Sequence, residues 1–320
     1  MTGHWLAELD GRRVVVEVPA SSANLGAGYD CLGLALELMN RVEVEVRGWS
    51  RGEIELTVDG EGSDELTEDR DNRFVRGLEA ALVAGRGELP DGVGWRILMR
   101  NRIPLARGLG SSAAATVAGV VAANELMGGP LDREAQLRVA TSVEGHPDNA
   151  AAALLGGFVV SASTPAGVEA IRFDAPRDLR AVLFIPELRL STDAMRKALP
   201  RMVPLADAVA NLGAVGVGVA GLAAGRTDLL ARMTVDRLHE PYRAKVFPQL
   251  PRLVAAAREA GALGACLSGA GSTVLAFVDS MVGIARIEGA FAATAADTDL
   301  EGRILVVEPR NAGARVVATA

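Results

Sequence analysis

Apolar positions follow two rhythms along this chain. Near the N-terminus Arg13-Val-Val-Val-Glu-Val18 is β-branched and strand-like, and in Arg41-Val-Glu-Val-Glu-Val46 and Glu53-Ile-Glu-Leu-Thr-Val58 the spacing is two. Such alternation describes strands with one wet face. Pro19 is expected to end the first strand, leaving 20–28 as a loop of small residues. The second and third strands, joined by a turn, suggest an antiparallel ribbon. Gly60 to Arg70 reads as an acidic loop. Helical spacing then predicts helices over Asn72–Ala84 and Asp132–Val143, the second capped by Asp132. Between them Arg96-Ile-Leu-Met99 is extended, and a helix of small residues runs from Ala113 to Leu126. A short apolar helix at Ala150–Leu155 ends at Gly156-Gly157, before a strand at Phe158–Ala162.

The second half opens on a buried strand, Arg180–Pro186. Helices are predicted over Thr192–Leu199, Leu205–Ala224, Pro251–Ala260 and Met281–Ala293, with strands at Gly264–Ser268, Thr273–Val278 and Arg303–Glu308. Strands and helices mix without a regular βαβ alternation, so the fold class is α+β. A Ser/Thr/Pro/Gly cluster at Ser163–Gly167 divides the chain into domains at 1–165 and 166–320. The uncharged stretch Ala208–Gly225 contains Asn211 and reads as a tightly packed internal helix, not a membrane span.

Composition narrows the function. Hydrophobic residues make up 49% and charged residues 23%, enough for a real core. Aromatics at 4% argue against base-stacking platforms, and a net charge of -7 argues against a general binder of nucleic-acid backbones. An anionic nucleotide would have to be held by local features. The two cysteines, Cys31 and Cys266, form neither a metal cluster nor a disulfide framework, which suggests a reducing, cytoplasmic setting. Met1–Asp10 has no basic start leading into an apolar run and does not read as a signal peptide.

Polar clusters lie beside turns at the ends of apolar elements. In Ser21-Ser-Ala-Asn-Leu-Gly-Ala-Gly-Tyr-Asp30, Asn24 and Asp30 could bond a small polar substrate, and Asp30 could hold an ammonium; a capped loop is the plainer reading. In Pro104-Leu-Ala-Arg-Gly-Leu-Gly-Ser-Ser-Ala-Ala114, glycines let a ligand approach backbone N–H groups at a helix start. That makes an anion cradle, although a glycine turn with a serine cap would look the same. It has neither a Walker Gly-Lys-Ser ending nor the dinucleotide fingerprint. Glu144-Gly-His-Pro-Asp-Asn149 could supply a carboxylate that completes a magnesium site with Ser112, while Asp148 and Asn149 could simply cap the next helix. Ser268-Gly-Ala-Gly-Ser-Thr273 reads alone as a tight β-turn.

Taken together, and in this order, the clusters resemble the small-molecule kinases named for galactokinase, homoserine kinase, mevalonate kinase and phosphomevalonate kinase (GHMP kinases). The resemblance covers nearly the whole chain. Within that superfamily, Val18-Pro-Ala-Ser-Ser-Ala-Asn-Leu-Gly-Ala-Gly-Tyr-Asp-Cys-Leu-Gly33 is similar to the opening signature of the homoserine kinase family. Glu144–Asn149, Asp236-Arg-Leu-His-Glu-Pro-Tyr-Arg243 and Asp71-Asn72 resemble further segments of it. The resemblance implies a ribosomal protein S5 domain 2-like first domain and a ferredoxin-like second one, with the active site between them. It implies ATP as co-substrate, Mg²⁺, and phosphorylation of L-homoserine on the way to threonine, with no nucleic-acid or membrane partner. Homodimers are usual in that family.

Residue by residue, the resemblance implies that Pro104, Leu105, Ala106, Arg107, Gly108, Leu109, Gly110, Ser111, Ser112, Ala113 and Ala114 wrap the ATP phosphates. Asn72 would lie near the adenine. Ser112 and Glu144 would hold Mg²⁺. Asn24, Asp30, Asn149, Thr192, Arg196, Arg243 and Gly269 would bind homoserine, with the arginines near its carboxylate. Mevalonate kinase-like members carry an aspartate base shortly before the Gly-Gly pair. The matching position here is Asn149, with Asp148 one residue away. An amide takes no proton at neutral pH, so catalysis by positioning and charge neutralisation is expected, with Asn149, Ser112 and Glu144 as its residues. His146 and His239 read as structural polar residues.

Overall fold

Two strands carry the first half. β1 (Arg13–Ala23) and β2 (Leu32–Arg47) pair antiparallel from Arg13↔Glu45 to Ala23↔Gly33. The computed structural model describes residues 5–48, 52–66, 69–89 and 92–320. Positions 1–4 of the N-terminal stretch and 67–68 of the acidic loop lie outside these. Pro19 does not end β1. The neighbour on its other side pairs only with Val14–Glu17, so the missing N–H costs no ladder bond there. The ladder absorbs the proline as a register shift at Pro19/Ala20. The strand therefore runs on to Ala23 and delivers Ser21 and Ser22 into the interior.

β3 (Ile54–Gly60) and β4 (Gly94–Asn101) flank α1 (Arg73–Arg86). β4 pairs antiparallel with β2, and β3 joins β4 in parallel at the sheet edge. The expected ribbon of the second and third strands does not form, because the α1 crossover sets β4 between β2 and β3. α2 (Ser111–Leu126), α3 (Arg133–Glu144) and α4 (Asp148–Leu155) follow, then the hairpin β5 (Phe158–Thr164) and β6 (Gly167–Phe173) on β2. α2 is buried on almost every side, which its alanines and glycine permit. A Cβ on Gly119 would sit 2.1 Å from the Phe74 carbonyl of α1.

The rest of the chain comprises β7 (Arg180–Pro186), α5 (Thr192–Lys197), α6 (Leu205–Ala223), α7 (Leu230–Met233), α8 (Glu240–Arg243), α9 (Leu250–Glu259), β8 (Gly264–Leu267), β9 (Val274–Val278), α10 (Met281–Asp297), β10 (Gly302–Val307) and β11 (Arg315–Thr319). Its four-stranded antiparallel sheet has the order β10-β7-β9-β8. β11 leaves that sheet and pairs with β1, completing a seven-stranded first sheet. Residues 165–166, the expected division, form the turn of the β5–β6 hairpin. Sheet membership puts the division after Phe173 and returns 315–319 to the first unit, because backbone pairing outweighs the local loop composition.

Alternation along β7 and β9 explains how the halves join. Ala181, Leu183, Ile185, Leu275 and Phe277 belong to the core of the first unit, while Val182, Phe184, Val274, Ala276 and Val278 form the second core with α9 and α10. The second sheet is thus buried on both faces, and those strands read as continuous apolar runs for that reason. α6 is a correction. It is not a tightly packed internal helix: only Asn211, Gly218, Gly221 and Leu222 are buried, and Leu205, Val209, Leu212 and Val217 are exposed. By length and composition it could cross a membrane. Here Asn211 ties it into the fold by donating to the Ala27 carbonyl and the Asp236 carboxylate.

Candidate active site

Three turns meet where the halves join. The Ser21 N–H donates to the Leu109 carbonyl, the Gly269 N–H to that of Ala23, and the Thr273 N–H to that of Arg107. The Ser268 hydroxyl donates to the Gly108 carbonyl at 2.7 Å and lies 2.8 Å from the Ser22 hydroxyl. The late glycine turn is therefore not an isolated β-turn but a clamp on the other two. Glycine is required at 108: its φ is +75°, and a Cβ there would stand 2.1 Å from the Ser268 carbonyl oxygen. Gly110, not a serine, is the N-cap of α2, in left-handed conformation with no side-chain bond. The first N–H groups of α2 are left available beside the positive end of its dipole.

These turns line one face of a cleft of about 680 Å³. At one end the Ser112 hydroxyl lies 3.0 Å from both oxygens of Glu144, and Thr116 donates to the same carboxylate at 2.6 Å. The Arg73 guanidinium stands 3.7 Å away. A hydroxyl and a carboxylate beside a glycine turn and a helix start match the few protein oxygens that Mg²⁺ accepts. Among the described residues no larger cluster of metal-ligating side chains occurs.

The other end holds charges of both signs. Asp30 and Arg196 form a two-pronged ion pair at 2.7 and 2.9 Å, and Arg196 also donates to the Tyr29 hydroxyl at 2.8 Å. The bond to Asp30 raises the pKa of Arg196. Asn24 and Asp30 both adopt left-handed backbone, which asparagine and aspartate tolerate. The Asn24 amide oxygen accepts the Asp30 N–H, and its nitrogen donates to the Gly269 carbonyl at 2.8 Å, linking the loop after β1 to the late turn. Arg243 is buried, and burial depresses its pKa. Its Nη1 donates to Gly269 O at 2.9 Å and to His239 Nδ1 at 3.1 Å, while its Nε has no partner.

The cleft brings together most residues singled out in the sequence: Asn24, Asp30, the 104–113 segment apart from Leu105, Glu144, Asn149, Thr192, Arg196, Arg243 and Gly269. Asn72, Leu105 and Ala114 do not line it. Asn72 is the N-cap of α1, accepting from the Phe74 N–H, and sets Arg73 at the cleft wall. Arg107 turns its guanidinium to the carbonyls of Leu105, Ala106 and Glu187. Asn149 accepts from the Ser21 hydroxyl at 2.9 Å, and Asp148 is held by His146 and by the Asn149 N–H. Arg196 and Tyr29 had no local signal beyond polarity. The Tyr29 ring stacks under both guanidinium groups, 5.6 Å from Arg196 and 5.4 Å from Arg243, an arrangement that requires the tertiary fold.

Residues 73–157 match the GHMP kinases N terminal domain, and residues 219–294 match the GHMP kinases C terminal domain. The chain is similar to the homoserine kinase of Moorella thermoacetica, with 42% identity over 304 residues, covering 95% of this chain and 99% of that one. The crystal structure of homoserine kinase from Cytophaga hutchinsonii has a TM-score of 0.84 at 30% identity, covering 95% of this chain and 97% of that one. L. major mevalonate kinase in complex with R-mevalonate shares the fold, with a TM-score of 0.68 at 17% identity, covering 94% and 98%.

One helical turn before Arg243, Glu240 is half-buried and its carboxyl group accepts the Leu267 N–H at 2.7 Å. Burial pushes its carboxyl up to about 8, with Asp236 adding to the rise and Arg258 and Arg243 opposing it. In the unfolded chain the same carboxyl ionises near its ordinary value. Between the two values the unfolded chain has released a proton that the fold retains, so stability falls as pH rises. Glu240→Gln keeps the acceptor and removes the titration. It is expected to lose less stability than the parent between about pH 5 and about pH 8, measured by denaturant unfolding; equal losses would show that Glu240 ionises freely in the fold.

Proposed function

The chain belongs to the homoserine kinase family of the GHMP kinases, and on that premise we propose that it transfers the γ-phosphoryl group of ATP to the side-chain hydroxyl of L-homoserine, giving O-phospho-L-homoserine and ADP, a step toward threonine. The observation that carries the substrate assignment is Arg243. A buried guanidinium needs an anion, and among the described residues none of the carboxylates pairs with it. Arg243 also lines the cleft, where a guanidinium suits the α-carboxylate of an amino acid. Asp30 and Arg196 satisfy one another, and a zwitterion carries the same two charges. Its ammonium can take Asp30 and its carboxylate Arg196, leaving neither unpaired. A hydroxy acid without the amine would leave Asp30 without its cation.

At the opposite end, the backbone of Gly108–Ser112 and the start of α2 would receive the phosphates, with Ser112 and Glu144 holding Mg²⁺. The metal, when bound, neutralises charge on the phosphate oxygens. The substrate hydroxyl oxygen forms a bond to the γ-phosphorus as the bond to the β–γ bridging oxygen breaks, and ADP departs with that electron pair. The hydroxyl proton passes late, to a γ-phosphate oxygen or to water. Asn149 offers no base, and its carbonyl is occupied by Ser21. The protein's part is therefore to orient the two substrates and to exclude water. The two free thiols suit a cytoplasmic setting, which cell fractionation would check.

The exposed face of α6 supports a homodimer. Its first half presents Leu205, Val209 and Leu212, its second half Gly213, Gly216, Ala220 and Ala223. Two antiparallel copies about a two-fold axis set bulk against hollow. Leu212→Asp is expected to convert a dimer to monomers in sedimentation; a monomeric parent protein would exclude this interface.

A coupled ADP-release assay tests the reaction. L-Homoserine is expected to release ADP, and 2,4-dihydroxybutanoate, which lacks the amine, to do so with kcat/KM lower by about 100-fold or more. Release with mevalonate or a sugar but not with homoserine would overturn the substrate assignment. Ser112→Ala is expected to lower Mg²⁺-dependent kcat by about 100-fold while calorimetric homoserine binding is unchanged. Equal losses in both would remove Ser112 from the metal site.

A further inference from the structure

Arg243 is gripped from behind by a histidine. His239 is the residue before α8 and is fully buried. Its place is set by Asp236, whose carboxylate accepts the N–H groups of Leu238, His239 and Glu240 and the Asn211 amide. His239 Nε2 lies 2.7 Å from the Gly26 carbonyl oxygen, so Nε2 is the donor. Nδ1 lies 3.1 Å from Arg243 Nη1, which can only donate, so Nδ1 is the acceptor. The two contacts together select one neutral tautomer. Burial agrees, lowering the imidazole pKa to about 4. The Tyr29 ring packs 5.3 Å from the imidazole and closes the open side.

A guanidinium is planar and rigid, so fixing one nitrogen with two acceptors restricts the whole fork. His239 Nδ1 and Gly269 O do this to Nη1 and leave Nε unbonded. We infer that His239 is a positioning residue that acts as a neutral acceptor, aiming Arg243 at the carboxylate of the amino-acid substrate. Through Nε2 the same ring ties that aim to Gly26 of the substrate loop. Asp236 and Asn211 then form the outer support. The inference rests on the reading that Arg243 takes the substrate carboxylate.

Two amide substitutions separate the two ring nitrogens. The Asn side-chain oxygen can reach the place of Nδ1, and the Gln side-chain nitrogen that of Nε2. His239→Asn thus keeps the acceptor for Arg243 and drops Gly26. His239→Gln keeps Gly26 and withdraws the acceptor. His239→Gln is expected to raise the KM for homoserine about tenfold, the worth of one lost hydrogen bond, with the KM for ATP unchanged. His239→Asn is expected to stay within about threefold of the parent. 3-Amino-1-propanol, which has the hydroxyl and amine but no carboxylate, supplies a readout that a structural role would not move. The preference for homoserine over it should fall about tenfold in His239→Gln and hold in His239→Asn.

Equal effects of the two variants, or a larger one in His239→Asn, would overturn the inference. Should His239→Gln fail to fold, His239→Ala against His239→Asn makes the same comparison of the acceptor. Arg243→Ala separates this inference from its premise. If homoserine KM is unchanged in Arg243→Ala, Arg243 does not bind the carboxylate. If that KM rises while the Asn and Gln variants behave alike, Arg243 binds the carboxylate but His239 does not aim it.

Discussion

The site depends on a backbone knot. Ser21–Ala23, Arg107–Leu109 and Ser268–Thr273 come from distant parts of the chain and exchange N–H···O=C bonds with one another. Such bonds are short and directional, so three turns held this way have little freedom left. The close approach requires glycine at 108, where any side chain would strike the Ser268 carbonyl. The knot also sets the two ends of the cleft at a fixed distance: α2 starts immediately after it, and Asn24 and Arg243 both donate to Gly269 within it.

A second constraint keeps the knot in place. The four-stranded sheet has apolar side chains on both faces, one face in each core. Neither unit can move away without exposing the alternate residues of β7 and β9 to water, at a cost of roughly 25 cal/mol per Å² of apolar surface. The return of β11 to the first sheet adds a covalent and hydrogen-bonded tie. The glycine turn before α2 on one unit and Arg196 and Arg243 on the other can therefore face each other across the cleft in fixed geometry. That suits a reaction whose catalysis lies mainly in alignment.

Charge is arranged with the same economy. Glu144 is the acceptor for Ser112 and Thr116, and Asp30 is matched to Arg196. Asp236 is satisfied by three N–H groups and an amide. Arg243 stands apart, because its hydrogen-bond partners are a carbonyl and a neutral imidazole. Neutral acceptors orient a guanidinium without cancelling its charge, so the attraction stays available to an incoming anion.

The strands with one wet face, the capped helices and the α+β class were legible because they depend on spacing and on caps a few residues away. Asp132 capping α3 is one such case. The glycine-rich approach to α2 was legible too, although Gly110 stands where a serine cap was the plainer expectation. What neighbours in space decide was not. Pro19 stays in β1 only because β11 stops pairing at Glu17. The α6 stripe is apolar in sequence whether it faces a core or solvent, and the helix's packing alone reveals its exposure. The late glycine turn read as an isolated bend until the fold pressed it on Gly108. His239 carries no local mark of its role, because the residue it orients becomes a functional arginine only when Tyr29, Gly26 and Gly269 surround it. The sequence alone therefore determined the elements and the chemistry each turn could offer, since those follow from local backbone and side-chain preferences. The tertiary structure decided which turns touch and which charges remain unpaired, because those depend on contacts between residues far apart in the chain.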